Sequence, residues 1–371
     1  MIDRRQFLSN TGAVALLAAF PSAQLMAAAP FRKTFRAWEV GAKGDFNTMR
    51  LVDRKQKPLD RFEVAIKVNA CALNARDQAI VKGWFLEDKP PELIPMTSGC
   101  GEVVAVGERV TRVKPGDRVT SAHFSYWVDG DWDPINAYRA DVGNTIDGWL
   151  TEQATLPESG LVVLPDNISD DTGASIASAG ATCWHALHEV AKVKAGDTVL
   201  SLGTGGVSTW GVKLAKMAGA HVVVTSSSDE KLERMRKLGA DITINYKKVP
   251  EWGKAVMEKT GGKGADIVLE NVGRLTLDQS LMASANNATV VLIGTGRLPE
   301  NLPKMPGFYM KNITMKAISN ASRRMLEDMI AAISANNVSS EIDRKFAFEK
   351  SVEAFEYMST SKHFGKILIV V

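Results

Sequence analysis

The segment from Val199 to Leu238 constrains the fold of this chain more than any other. A short apolar strand leads into the glycine turn Gly203-Thr204-Gly205-Gly206, an apolar helix pattern follows, and a second apolar strand runs from His221 to Thr225. This order predicts a β-α-β unit in which glycines let a pyrophosphate approach the backbone beside a helix N-terminus. We therefore expect a nucleotide-binding α/β fold, with a purely structural glycine turn as the alternative.

The end of the second strand favours one nucleotide over another. Sites that select NAD place an Asp or Glu about 20 residues after the first glycine, where it binds the ribose 2′-hydroxyl. Here Thr225-Ser226-Ser227-Ser228 holds that position, Lys231 follows shortly after, and the first carboxylate is Asp229. Because hydroxyls and a cation suit a 2′-phosphate, the sequence favours NADP(H), with NAD(H) as the second choice. The alternative interpretation of Lys231 is a solvated residue on the surface of the following helix.

Charge and cysteine content exclude several classes of protein. The 371 residues carry 45 Lys and Arg against 42 Asp and Glu, with no basic block, so nucleic acid is not an expected partner. Cys71, Cys100 and Cys183 lie far apart and form no CxxC pair, which excludes a disulfide framework and a cysteine-rich zinc lobe. The sequence leaves open whether two of them pair in an oxidising compartment.

The N-terminal segment has the features of an export signal. Asp3-Arg4-Arg5-Gln6-Phe7-Leu8 is a twin-arginine pattern, an apolar run from Gly12 to Phe20 follows, and small residues at Ala27 to Ala29 precede Pro30. We therefore expect residues 1–29 to be removed, the mature protein to be periplasmic, and the twin-arginine translocase to be its partner during export. The apolar run is too short for a stable membrane anchor, and an uncleaved amphipathic tail is the alternative.

The chain after this signal shows two patterns. From Phe31 to about Pro165, short apolar runs separated by turn signals such as Lys114-Pro115-Gly116-Asp117 predict a small β-barrel. From Ser169 to about Ile318, strands alternate with helices, which predicts a doubly wound parallel sheet. The later strands of that sheet are expected at Ile242 to Tyr246, Ile267 to Glu270, Thr289 to Gly294 and Ile313 to Ile318.

Several motifs together resemble a known superfamily. They are Leu73-Asn74-Ala75-Arg76-Asp77, the run from Gly99 to Gly107, Lys114 to Val119, Ala179 to Trp184, the turn at Gly203 and His363-Phe364-Gly365-Lys366. On these motifs the chain resembles the medium-chain dehydrogenases/reductases, especially their zinc-independent alcohol dehydrogenase-like and quinone oxidoreductase-like members. The resemblance implies a GroES-like catalytic barrel from residues 30–165 and 319–371, and a Rossmann nucleotide-binding domain from residues 166–318.

The chain departs from the zinc-dependent members of that superfamily. Those members hold zinc with a Cys, a Gly-His-Glu triplet and a second Cys, and the matching places here are about Asn74, Met96-Thr97-Ser98 and about Ser178. Amide and hydroxyl groups do not replace thiolate, imidazole or carboxylate as zinc ligands, so we expect no metal and no zinc. His185 and His188, three residues apart, are an alternative chelating pair without a third partner nearby.

The resemblance implies roles for individual residues. Asn74 is expected to face the nicotinamide and the substrate, with Asp77 close by, although both also fit polar capping of a strand end. The implied cofactor contacts are Thr182 at the carboxamide; Gly203, Gly205, Gly206 and Val207 at the pyrophosphate; Ser226, Ser227, Lys231 and Tyr246 at the adenosine phosphate; Asn271, Val272, Gly294 and Thr295 at the adenine or a ribose; and Phe364 and Lys366 at the closing tail.

A proton must also reach a reduced product. Tyr126 is placed with the catalytic residues because its loop shapes the substrate pocket in this superfamily, with His123 or water as alternative donors. The aromatic residues that we expect as candidate pocket walls are Trp84, Phe85, Phe124, Trp127 and Trp132.

These features together predict an NADP(H)-dependent oxidoreductase that acts on a small carbonyl, enone, quinone or alcohol. Without a Lewis acid, substrates that are already activated are favoured. An exported nucleotide-binding protein with little catalysis is the alternative, whereas a methyltransferase is disfavoured because no acidic residue closes the second strand. A homodimer is expected, paired through Thr289 to Ile293 and Ile313 to Ile318, where this superfamily usually joins its subunits.

Overall fold

A computed structural model describes residues 31–41, 45–83, 92–295 and 303–371. The predicted export signal, Trp84 and Phe85 lie outside the described residues. Among the helices of the described ranges, none combines the length and the apolar character needed to cross a lipid bilayer.

Fifteen strands form three sheets in the described part of the chain. They are β1 Thr34–Glu39, β2 Arg50–Lys55, β3 Glu63–Ala72, β4 Ser98–Val106, β5 Arg118–Ser121, β6 Gln153–Pro157, β7 Leu161–Val163, β8 Thr198–Leu202, β9 His221–Ser226, β10 Ile242–Asn245, β11 Ala265–Glu270, β12 Ser284–Leu292, β13 Thr314–Ala317, β14 Ile342–Ala347 and β15 Lys366–Val370.

The helices lie mostly between the strands of the second half. They are α1 Ala75–Val81, α2 Pro134–Ala137, α3 Asp170–Ser175, α4 Ala181–Trp184, α5 Gly206–Met217, α6 Asp229–Lys237, α7 Trp252–Lys259, α8 Leu277–Ala283, α9 Arg323–Ala335 and α10 Ser351–Ser359. Two π-helical segments, Ile176–Gly180 and His185–Val190, flank α4, and short 3₁₀ turns occur at Phe46–Thr48, Tyr138–Ala140, Glu158–Gly160 and Phe348–Lys350.

The nucleotide-type sheet is six-stranded and parallel, in the order β10-β9-β8-β11-β12-β13. This is the doubly wound order in which the first strand, β8, lies at the point where the winding reverses. Every residue of β8 is buried because helices cover both faces of the sheet, which explains its unbroken apolar character. The predicted doubly wound parallel sheet is confirmed.

The barrel sheet joins the two ends of the described chain. Its order is β14-β15-β3-β4-β5-β7, with β6 also paired to β3, and β1 and β2 form a separate two-stranded sheet. The C-terminal strand β15 pairs antiparallel with β3, so the tail returns to the barrel after the parallel sheet is complete. A second contact ties this tail to the glycine turn, because the Gly365 N–H donates to the Thr204 carbonyl at 2.9 Å.

Among the described residues, only the second of the two strands expected to pair subunits lies at a sheet edge. Strand β12 is paired on one side to β11 and on the other to β13, so its backbone groups are used within the chain. Strand β13 lies at the end of the sheet order of the described residues, and three of its four residues are exposed. The segment around Thr289 therefore offers no free edge to a second copy.

Candidate active site

The candidate active site is a cleft of about 1000 Å³ between the barrel and the parallel sheet. It lies at the carboxyl ends of β8, β11 and β12, which is the usual ligand position in a doubly wound sheet. The predicted site residues that line it are Asn74, Thr182, Gly203, Gly205, Gly206, Val207, Asn271, Val272, Gly294, Thr295 and Lys366.

The glycine turn gives the cleft a bare backbone wall. Gly203 has a φ of +79°, a left-handed conformation that glycine adopts without steric cost. A Cβ added at Gly205 would make no close contact, since its nearest neighbour, His363 Nε2, would lie 4.0 Å away. At Gly206 a Cβ would instead lie 2.4 Å from Cδ of Lys366. The turn therefore leaves room for a ligand at Gly205 and packs the tail at Gly206.

A helix broken by π-helical turns forms the adjoining wall. The first π-helical segment, Ile176–Gly180, carries Ser178 into the cleft wall, and α4 after it carries Thr182. Such π-bulges alter the direction of side chains along a helix and occur often at functional sites. No sequence pattern predicted these π-helical turns.

Asn74 stands at the start of α1, and its side-chain amide is held on both sides. Its Nδ2 donates to Oδ2 of Asp77 at 3.0 Å and to Oγ of Ser98 at 3.0 Å. Its Oδ1 accepts from Nζ of Lys366 at 2.7 Å. Because one end of the amide faces a carboxylate and the other an ammonium group, its orientation is fixed.

Asp77 lies beneath this amide and does not line the cleft. Its carboxylate is fully buried and also accepts from the backbone N–H and the hydroxyl of Thr97, both at 3.0 Å. It accepts from the Asn74 backbone N–H as well, at 2.7 Å. The expected proximity of Asp77 to Asn74 is therefore seen, but the geometry gives Asp77 a positioning role and no direct contact with a ligand.

Arg76 and Asp141 form a buried ion pair beside Asn74. Both Nη atoms of Arg76 donate to the Asp141 carboxylate at 2.8 Å, and Asn144 Nδ2 donates to the same group at 2.7 Å. Burial alone would raise the pKa of Asp141, but the bonds to His123 and Arg76 hold that pKa well below its usual range. Asp141 is therefore a permanent anion buried behind Arg76 and His123, which line the cleft.

His123 lies between Arg76 and Asn320. Burial, and then the charge of Arg76, lower the pKa of His123 to about 4, so its ring is neutral at neutral pH. Arg76 Nη1 and Asp141 Oδ1 both approach Nε2 of this ring, and Nδ2 of Asn320 lies 2.6 Å from Nδ1. Both ring nitrogens therefore have polar partners within the protein.

A second group of predicted residues lies beyond the cleft wall, at the ends of β9 and β10. The register Asn245↔Ser226 brings Tyr246 next to Ser226, and the Tyr246 N–H donates to the Ser226 carbonyl at 3.0 Å. Ser228 is the N-cap of α6, where its hydroxyl accepts from the Lys231 N–H. We call residues 226–228 the serine loop.

Lys231 is tied to the C-terminal tail. Its Nζ donates to the carbonyl of Ser361 at 3.0 Å and to that of His363 at 2.8 Å. Burial lowers its pKa, although the nearby Asp343 opposes this shift. An ammonium group held by two neutral carbonyls keeps its full charge, and its third N–H is available for an anion.

The ends of β11 and β12 complete the wall on the other side of the glycine turn. Asn271 Nδ2 donates to the Leu202 carbonyl at 3.1 Å, while its Oδ1 is buried without a protein partner in the described residues. A Cβ at Gly294 would lie 2.3 Å from the Asn271 carbonyl oxygen, so only glycine fits there. Val272 and Thr295 are exposed at the mouth of the cleft.

Comparisons with known proteins give the same architecture. The family model of the alcohol dehydrogenase GroES-like domain matches residues 60–166, and that of the zinc-binding dehydrogenase matches residues 206–335. A zinc-type alcohol dehydrogenase-like protein of Schizosaccharomyces pombe is 38% identical over 320 residues, covering 84% of this chain and 92% of its own. The chain belongs to the medium-chain dehydrogenase/reductase family.

Solved structures agree with this assignment. A crystal structure from Sinorhizobium meliloti 1021, provisionally assigned as an alcohol dehydrogenase, superposes with a TM-score of 0.86 at 32% identity, covering 92% of this chain and all of that one. A mycobacterial protein complexed with NADPH superposes with a TM-score of 0.76 at 25% identity, over 91% of this chain and all of that one. The GroES-like and Rossmann fold class is confirmed, and the chain is an oxidoreductase of this family.

The residues at the family's zinc positions do not form a zinc site. Asn74, Thr97 and Ser98 are buried and bonded to one another or to Asp77, and Ser178 offers a hydroxyl. Within the described ranges, no three His, Cys, Asp or Glu side chains lie close enough together to hold a metal ion. This donor set does not fit zinc, and we derive no chemistry through a metal.

His185 and His188 do not act as a chelating pair. The His185 ring bonds to the Asn320 carbonyl and lies 5.8 Å from the ring of Trp127, while His188 stacks on Trp184 at 4.0 Å. The three cysteines are buried and unpaired, so the disulfide left open by the sequence is not formed.

Three predictions of site residues are corrected by the structure. Tyr126 does not line the cleft, whereas His123 and Phe124 of the same loop do, and its ring lies 5.5 Å from the Arg139 guanidinium. Phe364 is buried under the Arg234 guanidinium at 3.9 Å and does not reach the cleft. Trp127 and Trp132 line a separate cavity of about 510 Å³, and of the expected pocket walls only Phe124 lines the main cleft in the described residues.

Sequence reasoning gave no role to three residues of this site. Arg76 belongs to a motif that was recognised, but its partner Asp141 lies 65 residues later in an irregular loop. Asn320 has a φ of +63°, and Asn tolerates this left-handed conformation better than most residues. No local pattern links these residues, because only the folded barrel brings them together.

Proposed function

We propose that this protein is a zinc-independent, NADP(H)-dependent oxidoreductase that transfers hydride to or from a small carbonyl, enone, quinone or alcohol. The observation that carries this proposal is the cleft, which combines an open glycine turn with a wall of hydrogen-bonding side chains that cannot hold zinc. When bound, the dinucleotide would supply the hydride, and the protein would supply position and hydrogen bonds.

The choice of NADP(H) is supported by the chain's own residues. The open space at Gly205 and the start of α5 suit a pyrophosphate. The serine loop and Lys231 offer hydroxyls and a cation at the end of β9, where a 2′-phosphate would lie in a Rossmann domain. The mycobacterial relative that was crystallised with NADPH has the same fold.

In this proposal the chain's residues position the reacting groups. The Asn74 amide, fixed by Asp77 and Lys366, forms the floor on which the nicotinamide and substrate would meet. Thr182 and Ser178 bound the same space from the broken helix. Without a Lewis acid the oxygen of the substrate depends on hydrogen bonds alone, which favours quinones, enones and reactive aldehydes over simple ketones.

A substrate screen with the purified mature protein tests this function. NADPH oxidation would be followed by absorbance with quinones, enones and aldehydes, while fluorescence titration compares NADPH with NADH and elemental analysis measures zinc. We expect NADPH to bind more tightly than NADH, zinc to be absent, and at least one activated carbonyl to be reduced. Tight NADPH binding without turnover of any substrate would favour a nucleotide-binding protein with little catalysis, and one zinc per chain would overturn the metal-free mechanism.

We also propose that residues 1–29 direct export of the folded protein to the periplasm through the twin-arginine pathway. The basis is the pair Arg4-Arg5 before a short apolar run. Cell fractionation of the full chain and of an R4K/R5K variant tests this proposal. We expect the wild type in the periplasm and the variant in the cytoplasm. The same distribution for both proteins would show that Arg4 and Arg5 do not direct export.

A homodimer is the third part of the proposal. Strand β13 is exposed at the edge of the parallel sheet, and Tyr309 and Met310 before it are 90% and 93% exposed. Exposed apolar side chains beside an open strand edge favour contact with a second copy. Sedimentation equilibrium should give a dimer for the wild type and a weaker dimer for a Y309S/M310S variant; a wild-type monomer would contradict this.

A further inference from the structure

We propose that Lys366 donates the proton that completes reduction of the substrate, a role that rests on the proposed function and extends it. The structure brings this lysine, from the first position of β15, into the wall of the cleft between the glycine turn and Asn74. The sequence-based interpretation gave it only a contact with the cofactor.

The geometry leaves one N–H of Lys366 for a ligand. Its Nζ donates to the Leu73 carbonyl at 2.5 Å and to Asn74 Oδ1 at 2.7 Å. A lysine ammonium has three N–H groups, and within the described ranges two of them have an acceptor. The side chain is 3% exposed, and its stem lies against Gly206. The free N–H is therefore held in one place, beside the surface on which the reacting groups would meet.

The other candidate donors are excluded by their surroundings. Tyr126 does not line the cleft. Both ring nitrogens of His123 are engaged, by Arg76 and by Asn320, and its ring is neutral at neutral pH because burial lowers its pKa to about 4. Arg76 is bound to Asp141 through both Nη atoms, and an arginine does not release its proton in this pH range.

The charges around Lys366 suit proton donation near neutral pH. Burial lowers the pKa of Lys366 to about 8, and the carboxylate of Asp77 beneath Asn74 opposes this shift. The other charged or titratable groups that face this region are already committed: Arg76 to Asp141, Glu341 to Lys213 at 2.6 Å, and His363 has its pKa lowered by burial and by Lys231. A general acid works best when its pKa is close to the working pH.

The step balances without a further reactant. A bound reduced dinucleotide would supply the hydride to the carbonyl carbon of the substrate, and the electron pair of the C=O π bond would move to the oxygen. That oxygen takes a proton from Nζ of Lys366, so one N–H bond breaks and one O–H bond forms. The alcohol product leaves, and the neutral amine is protonated again by water. For an enone or quinone the proton goes to the enolate or phenolate oxygen in the same way.

The pH dependence of hydride transfer in Lys366→Met tests this role. In the wild type, single-turnover oxidation of NADPH by an activated carbonyl should slow above about pH 8, as Lys366 loses its proton. Lys366→Met should bind NADPH within about threefold of the wild type, transfer hydride about 100-fold more slowly, and lose this alkaline decline. An alkaline decline that persists in Lys366→Met, or a loss confined to NADPH affinity, would overturn the inference.

Two further variants keep the test independent of folding defects at position 366. Asp77→Asn removes the negative charge that raises the pKa of Lys366, so the alkaline decline should move to lower pH. Lys362→Met, an exposed lysine four residues earlier in the chain, is the matched control and should change neither rate nor pH profile. An unmoved decline in Asp77→Asn would count against Lys366 as its source.

A measurement without substrate separates this inference from the proposed function. Competitive acetylation of the unliganded protein with acetic anhydride, followed by peptide mass spectrometry, reports the pH at which Lys366 becomes reactive. Reactivity that rises near pH 8 supports the inference, and reactivity that rises only near pH 10 overturns it, whether or not a substrate is found. Failure of the wild type to reduce any carbonyl, with Lys366 reactive near pH 8, would count against the proposed function alone.

Discussion

The barrel side of the cleft and the serine loop are built in opposite ways. On the barrel side, Asp141, Arg76 and His123 are largely buried and bond to one another, while Asn74 bonds to Asp77 and Lys366. Beside the serine loop, the hydrogen bonds of Lys231 Nζ among the described residues go to two backbone carbonyls of the tail. We call the barrel-side group, with Asp77, Asn320 and Lys366, the polar cluster.

This difference predicts that substitutions in the two regions change different properties: protein stability in one and ligand affinity in the other. Polar groups that are buried and mutually bonded cost free energy when any one partner is lost, because the others are left unpaired. A partly exposed cation such as Lys231, bonded to neutral carbonyls, leaves no buried charge unpaired when it is replaced, so its loss should act mainly on a ligand. Substitutions in the polar cluster should therefore change the stability of the unliganded protein, whereas substitutions at the serine loop and glycine turn should change cofactor affinity.

The largest effect is expected for Asp141→Ala. This change leaves the Arg76 guanidinium buried without its carboxylate, and should lower the free energy of unfolding by about 3–5 kcal/mol. Chemical denaturation of the unliganded protein measures it. The matched control is Asp129→Ala, which removes an exposed carboxylate paired with Arg324 and should cost far less. Equal decreases in the free energy of unfolding for the two variants would contradict the proposed difference between the two regions.

The next effect is a pH dependence of stability that comes from His123. Its native pKa of about 4 lies below the ordinary histidine value, so between about pH 6.5 and 4 the unfolded chain binds a proton that the native protein does not. Stability should therefore fall as the pH falls through this range, by about 3 kcal/mol from this residue.

The variant His123→Phe isolates that contribution. Its free energy of unfolding, measured at pH 7 and at pH 4.5, should fall less than that of the wild type over the same interval. Between pH 7 and 8 the two proteins should differ by a constant amount, because the lost hydrogen bonds to Arg76 and Asn320 do not depend on pH there. Parallel curves down to pH 4.5 would show that the ring is not buried in its neutral form.

At the serine loop, Lys231→Glu should weaken NADPH binding by about tenfold and leave NADH binding nearly unchanged. The added carboxylate would repel a 2′-phosphate, and tenfold corresponds to about 1.4 kcal/mol. Fluorescence titration with both nucleotides measures the ratio. Lys237→Glu, at the far end of the same helix and exposed, is the control. An unchanged NADPH affinity in Lys231→Glu would remove Lys231 from the phosphate site.

The smallest effect on stability is expected at the glycine turn, where two neighbours should differ. Gly203→Ala forces a side chain into a left-handed conformation and should cost about 1–2 kcal/mol of stability. Gly205→Ala would make only an ordinary contact with His363 and has an ordinary φ of −82°, so the unliganded protein should keep its stability while NADPH affinity falls. Thermal unfolding and titration measure the two quantities; unaltered NADPH affinity in Gly205→Ala would mean that no ligand occupies that space.

Much of the fold could be predicted because its signals are local. The unbroken apolar character of β8, the glycine turn and the apolar stripe of α5 each depend on residues close in sequence. The predicted strand at Thr289 to Gly294 in fact begins at Ser284, and its pairing with β11 shifts register between Ser284 and Thr289, where Asn287 has a φ of +61°. The motifs that resemble the family also contain Asn74 and Lys366, which both line the cleft.

The errors concern side-chain direction and long-range contact. Tyr126 and Phe364 lie within two residues of groups that do line the cleft, but sequence patterns in irregular loops do not show which side chain turns inward. Asp77 was correctly placed near Asn74, and only its four hydrogen bonds show that it serves as a support.

The sequence by itself determined the order of strands and helices and the position of the nucleotide turn, because backbone preference and apolar spacing act over a few residues. Tertiary structure alone decided which polar groups meet. Arg76 finds Asp141 across 65 residues and Asn74 meets Lys366 across 292, and no local pattern encodes such distances. When the C-terminal tail pairs with the barrel, these groups become buried together. Their burial and their mutual contacts then determine which of them are charged.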